Sequence, residues 1–171
     1  MADHQTSPLY PLLNQINSAA QNGLHLVAIG MAVAIPAICA SLEAKDGRSG
    51  GKEYKQWCAA NLCGPAFTYV TPDDLYSMRC GVLHQGRYGD LQHSVARVIF
   101  VPPGGLSISS CRMNDAYVYG VVEFCQNVCR AAFDWYEANR EDPIIADNSS
   151  RLMQYYENGL SPYISGAMVI A

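Results

Sequence analysis

Apolar positions recur at helical spacing near the start of the chain. Leu9, Leu12, Leu13, Ile16 and Ala20 fall on one broad face. Ser7 can cap that helix, Pro8 suits its first position, and Gly23 stops it after about Asn22. Residues 1–7 read as a frayed tail. Leu24–Ala44 is the most apolar segment, with no charged or strongly polar residue from Leu26 to Ala40. That strictly apolar heart is shorter than the roughly 20 residues a bilayer span needs. It also holds Gly30 and Pro36, and no basic cluster precedes it. The pattern predicts a central helix buried on nearly all sides, kinked at Pro36, rather than stable membrane insertion. A membrane-associated protein using residues 24–42 is the contrasting reading.

Lys45–Gly51 reads as a loop and Lys52–Leu62 as a short helix with Tyr54, Trp57 and Cys58 inward. Gly64-Pro65 marks an irregular stretch. Thr71-Pro72-Asp73-Asp74 is a strong helix start: Thr71 can cap, Pro72 fits the first position, and two acids suit the helix dipole. This helix runs toward Gly86. The pattern then changes. Val95, Val98, Ile99, Phe100 and Val101 read as a strand, Pro102-Pro103-Gly104-Gly105 as a turn, and Leu106–Cys111 as a second strand. A β-hairpin near 94–111 is therefore expected between helices. Asn114 or Asp115 is expected to cap a long helix through Asn139. Arg140–Ser149 reads as a loop, Ser150–Asn158 as a final helix stopped by Gly159, and 159–171 as an apolar tail suited to docking on a partner subunit. The expectation is a mainly α chain in a single domain spanning 1–171.

Composition narrows the function classes. Half of the 171 residues are apolar and 15% are charged, well below the roughly 25% of ordinary soluble domains. Part of the surface is therefore expected to be covered. A net charge of -4 supplies no global field for long nucleic acid, so any RNA contact needs a local basic patch. The seven cysteines are odd in number and lack CxxC spacing, which fits a reduced, cytoplasmic protein. Cys125 and Cys129 share a helix face, but a metal site there would need His93 or Cys111 as further ligands. No metal or cofactor is expected.

The run Asp74-Leu75-Tyr76-Ser77-Met78-Arg79-Cys80-Gly81-Val82-Leu83-His84-Gln85-Gly86-Arg87 carries the most coherent chemistry. It sets a permanent cation near a group that titrates close to neutrality. Five residues turn an ideal helix by about 500°, leaving Arg79 and His84 roughly 140° apart. Spacing alone therefore predicts that they meet only if the helix ends or distorts, or if a two-fold mate completes the site. Such a pair suits RNA cleavage by the ribose 2′-hydroxyl, with His84 moving the proton and Arg79 holding the phosphate. Gln85 and Arg87 are candidate further substrate contacts.

This run resembles the HEPN superfamily, whose signature is Arg, four to six residues, then His, at the end of a core helix. The resemblance implies an all-α up-and-down helical bundle over roughly residues 8–140. It also implies a homodimer that pairs its two motifs, with metal-independent endoribonuclease activity from Arg79 and His84. Relatives occur in bacterial toxin–antitoxin, phage-defence and RNA-guided immunity systems, so an antitoxin or regulatory partner is part of the expectation. Other members are non-catalytic dimerisation or ligand-binding modules, which is the alternative here. Cys80 stands where the family often has a polar residue, frequently Asn, and Gly86 where one toxin subgroup has Tyr.

Other motifs exclude more than they offer. Ser109-Ser110 lacks a nucleophile-elbow context. Gly51 is followed by Lys52-Glu53, so no P-loop forms. His25 reads as a boundary histidine. His93 and Arg97 are candidates for a basic rim. Tyr117, Tyr119, Tyr136, Tyr155 and Tyr156 could stack bases, although such tyrosines more often pack in cores.

Overall fold

A computed structural model describes residues 7–88, 97–105 and 107–171. The chain is mainly helical. Its helices are α1 (Leu9–Gln21), α2 (His25–Glu43), α3 (Gly51–Asn61), α4 (Pro72–Gln85), α5 (Val121–Asn139) and α6 (Pro143–Ser149). Three strands, β1 (Arg97–Val101), β2 (Ser110–Met113) and β3 (Ala116–Gly120), form one sheet between α4 and α5 in chain order. One buried cluster draws on all six helices and on β1 and β3.

The first helix starts as its sequence predicts. The Leu9 N–H donates to Ser7 Oγ at 3.2 Å, and Ser7 itself is buried rather than frayed. Residues 1–6 lie outside the described residues. Leu9, Leu13, Ile16 and Ala20 form the buried stripe of α1, and Gly23 reverses the chain with φ +84°. Helix α2 follows and packs against α1, α3, α4, α5 and α6. By length and composition it is the one helix among the described residues that could cross a membrane, and half of its most apolar window is buried. It continues through Pro36. The proline ring removes an N–H from the ladder, and the Tyr54 hydroxyl donates to the nearby Val33 carbonyl at 2.9 Å.

Helix α4 has the start expected of it. Thr71 Oγ1 accepts from the Asp74 N–H at 3.2 Å, and Asp74 Oδ2 accepts from the Thr71 N–H at 3.0 Å. Asp74 is fully buried in that cap. At the other end, Gly86 takes φ +66°, and the Arg87 N–H folds back onto the Gly81 carbonyl at 3.2 Å.

The sheet differs from the expected hairpin. β1 does not pair with the segment after Gly105. It lies parallel to β3, from Arg97 opposite Ala116 to Val101 opposite Gly120. The hairpin is instead β2–β3, antiparallel, turning at Asn114-Asp115 with Asn114 at φ 56°. Asparagine tolerates that left-handed conformation, so Asn114 makes a turn and does not cap a helix. Ala116–Gly120, with Tyr117, Val118 and Tyr119 at its heart, forms the central strand, all but Gly120 buried. Helix α5 consequently begins at Val121. Residues 94–96 and Leu106, assigned above to strands, lie outside the described residues.

The C-terminal region is also corrected. Asp142 caps α6 by accepting from the Ile144 N–H at 2.8 Å, with Pro143 at the first position, so 143–149 is helical rather than a loop. The expected helix over 150–158 is absent. Four two-residue strands follow: β4 (Tyr155–Tyr156), β5 (Gly159–Leu160), β6 (Ile164–Ser165) and β7 (Val169–Ile170). β4 pairs with β7 and β5 with β6, both antiparallel. The tail is thus folded back on itself. Gln15 on α1 donates to the Tyr155 hydroxyl at 2.7 Å.

Candidate functional site

Arg79 and His84 both lie on α4, in its last two turns. They meet within this one helix: Arg79 Nη1 is 3.4 Å from His84 Nε2. This corrects the expectation from helical angle alone. The angle measures where side chains leave the helix, whereas the arginine stem is long enough to wrap around it. The guanidinium travels over Cys80, the residue angularly between the pair, with Nη1 3.9 Å from Cys80 Sγ. Arg79 is half-buried and its Nε is enclosed with no hydrogen-bond partner. The buried stem and Nε fix the base of the side chain, while Nη1 reaches His84, which is exposed.

Tyr76, one turn earlier, completes this flank. Its hydroxyl hydrogen-bonds the Cys80 thiol, and that contact raises its pKa above the ordinary tyrosine value. Its ring packs at 5.4 Å from Tyr54 and crowds Gly51, where an added Cβ would lie 2.7 Å from the ring. Lys55 sits 5.8 Å from the Tyr76 ring centre and 2.8 Å from Asp73, which occupies the cation. Among the described residues no carboxylate pairs with Arg79, whereas Lys55 has Asp73. The arrangement can present a guanidinium to an anion beside an imidazole able to take or give a proton.

Gln85 and Arg87 point to a different contact. Arg87 Nε donates to Gln85 Oε1 at 2.8 Å, so these two pair with each other. Arg87 also lines an apolar cavity of about 320 Å³ with Leu26, Ile29, Val82, Gly86 and Tyr88. Beside it the surface is unusually apolar. Leu24, Leu26 and Val27 at the start of α2 are exposed, Leu26 by 80%, as is Leu83 next to His84.

The remaining candidates within the described residues make no hydrogen bond to Arg79 or His84. Tyr117, Tyr119 and Tyr136 are buried, with no face free for a base. Tyr155 and Tyr156 belong to β4. Cys125 and Cys129 are core thiols that burial pushes up to about 12, and no group of three metal-ligating side chains forms among the described residues. His25 begins α2, Arg97 is exposed on β1, and His93 lies outside the described residues. Sequence reasoning gave no role to Tyr76. Its position three before Arg79 and four before Cys80 on one helix was the available signal.

No protein-family model, curated protein or solved structure matches the chain.

Proposed function

We propose that the chain is a HEPN-type, metal-independent endoribonuclease whose working site is composite, formed where two copies bring their α4 ends together. The observation that carries this reading is the 3.4 Å approach of the Arg79 guanidinium to the His84 imidazole on an exposed helix edge. One imidazole takes the proton of a ribose 2′-hydroxyl, and the oxygen attacks the adjacent phosphorus. The 5′-oxygen leaves with a proton from the second copy's imidazole. The products are a 2′,3′-cyclic phosphate and a 5′-hydroxyl. Arg79 leaves His84 to hold the phosphate and offset charge that builds on its oxygens in the transition state. The exposed Leu83 adjoins His84 in the chain, and the exposed Leu24, Leu26 and Val27 at the start of α2 supply further apolar area for a second copy.

The test is cleavage of single-stranded RNA in EDTA. Wild-type protein should cut it, and Arg79→Ala and His84→Ala should each lower the rate at least a hundredfold, in line with loss of a general acid–base or charge-stabilising group. Their thermal melts should match the parent. Equal cutting by both variants and the parent rejects the assignment. The same apolar surface also supports a second reading, a non-catalytic dimerisation module. Under that reading the protein dimerises, yet no RNA is cut and the two alanine variants bind their partner copy unchanged.

A further inference from the structure

The tail beyond α6 folds back on itself yet leaves much of its apolar surface open. Of the fourteen large apolar side chains exposed among the described residues, six belong to it: Met153, Tyr155, Tyr163, Ile164, Met168 and Ile170. From Leu152 to Ala171 only Glu157 carries a charged side chain. Tyr155 stands opposite Ile170 across the β4–β7 ladder, so the two share one face. Met153 joins them at the rim of a cleft of about 280 Å³, whose floor includes Pro11 and Leu12 of α1 and Ile38 of α2. Gln15, which also lines this cleft, already donates to the Tyr155 hydroxyl. The cleft and its rim therefore offer apolar contact and little else.

Area, backbone and charge together select the occupant. The six side chains leave between 45% and 81% of their surface open, which at about 200 Å² for a full side chain of this size comes to about 750 Å². A standard protein interface buries about 800 Å² on each partner. Each ladder of the tail has only two strands among the described residues, β4 with β7 and β5 with β6. A two-stranded ladder is marginal alone, and no lysine guards these edges. Another polypeptide can satisfy such an edge, whereas lipid hydrocarbon cannot. No cation stands in the segment to draw an anionic headgroup or an acidic partner, and Glu157 repels both. A face so nearly free of charge meets its own copy with little like-charge penalty, as a two-fold contact requires.

We infer that residues 152–171 form a self-association surface, which docks on the same surface of a second copy of this chain. The rim of Met153, Tyr155 and Ile170 meets its equivalent across a two-fold axis, and apolar side chains of each tail cover the cleft of the other. No residue of α4 lines this cleft, so the contact stands independently of the ribonuclease reading. The two contacts also differ in what they build. One two-fold contact closes a dimer, whereas two different ones on the same chain build a tetramer or a growing row of copies.

The test is sedimentation velocity of the full chain over a concentration series, carried out on Leu26→Asp, which weakens any pairing through the α4 ends. That protein should still form a dimer. Adding Met153→Glu and Met168→Glu, both at exposed positions, sets like charges against each other across the axis and should weaken the dimer at least tenfold. The helical spectrum should stay that of the parent. Hydrogen exchange supplies a reading that needs no substitution. Raising the concentration of the parent tenfold should slow the amides of 154–156 and 169–171 while those of β3 keep their rates. Three results overturn the inference: a Leu26→Asp protein that stays monomeric, a dimer unchanged by the two glutamates, or tail exchange that ignores concentration. Flotation of the parent with phosphatidylcholine vesicles, lost on the same two substitutions, also overturns it and names lipid as the occupant. RNA cleavage by the parent is unaffected by any of these results, so the two readings fail separately.

Discussion

Asp74 shows how much one side chain can hold in place. Its carboxylate accepts from both the backbone and the hydroxyl of Thr71 while fully buried at the start of the helix that carries Arg79 and His84. Asp74→Ala should cost about 2–3 kcal/mol, combining a lost cap with stranded donors, as read from urea denaturation midpoints. The thiols give a second expectation at this scale. Burial pushes Cys58, Cys125 and Cys129 from 9.0 up to about 12. A raised thiol favours the folded state fully below its unfolded value, and that contribution is lost as pH climbs from about 9 toward 12. Thermal melts should therefore fall above pH 9. At pH 8 the native protein should label rapidly only at Cys63, Cys80 and Cys111, which are exposed or half-exposed. The Thr71–Asp74 cap was legible because its residue types sit at fixed offsets. The meeting of Arg79 with His84 was not, because helical angle describes Cβ direction and says nothing of the reach of a four-bond stem.

At the scale of elements, helices were legible where caps and stripes agreed, as in α1 and α4. The sheet was not. Val98, Ile99 and Phe100 signal a strand, but nothing in a strand's own sequence states which neighbour it joins. The Asn114-Asp115 pair fits both a helix cap and a two-residue turn, and the alternation of Ala116-Tyr117-Val118-Tyr119 decides for the turn. Gly120 joins that strand to α5, and a Cβ there would lie 2.4 Å from the Ile108 carbonyl oxygen. Backbone cannot move aside as a flexible side chain can. Gly120→Ala should thus destabilise the protein by about 1–3 kcal/mol, the range for overpacking. Calorimetry should register it, whereas Gly105→Ala, with open space around it, should be silent.

On the scale of the whole molecule, α2 contributes to the low charge content. A helix touched by five others needs apolar residues on most of its circumference, and half of its most apolar window is buried inside. What remains outside is concentrated at Leu24, Leu26 and Val27. Under the proposed pairing of two copies through their α4 ends, Leu26→Asp should weaken that self-association at least tenfold in sedimentation velocity, with little loss of thermal stability, because Leu26 is 80% exposed in the single chain. The composition leads one to expect a covered surface without saying where. Periodicity could not resolve it, since an all-apolar helix carries no stripe to mark its outer side.

The central place of β3 also orders events in time. β2 and β3 are joined by a two-residue turn and can pair as soon as both exist. β1 comes first in the chain, yet its partner is β3, the last strand of the three. A chain growing from its N-terminus must therefore carry Arg97–Val101 unpaired until Gly120 has emerged, and the hairpin becomes the template on which the older strand closes the sheet.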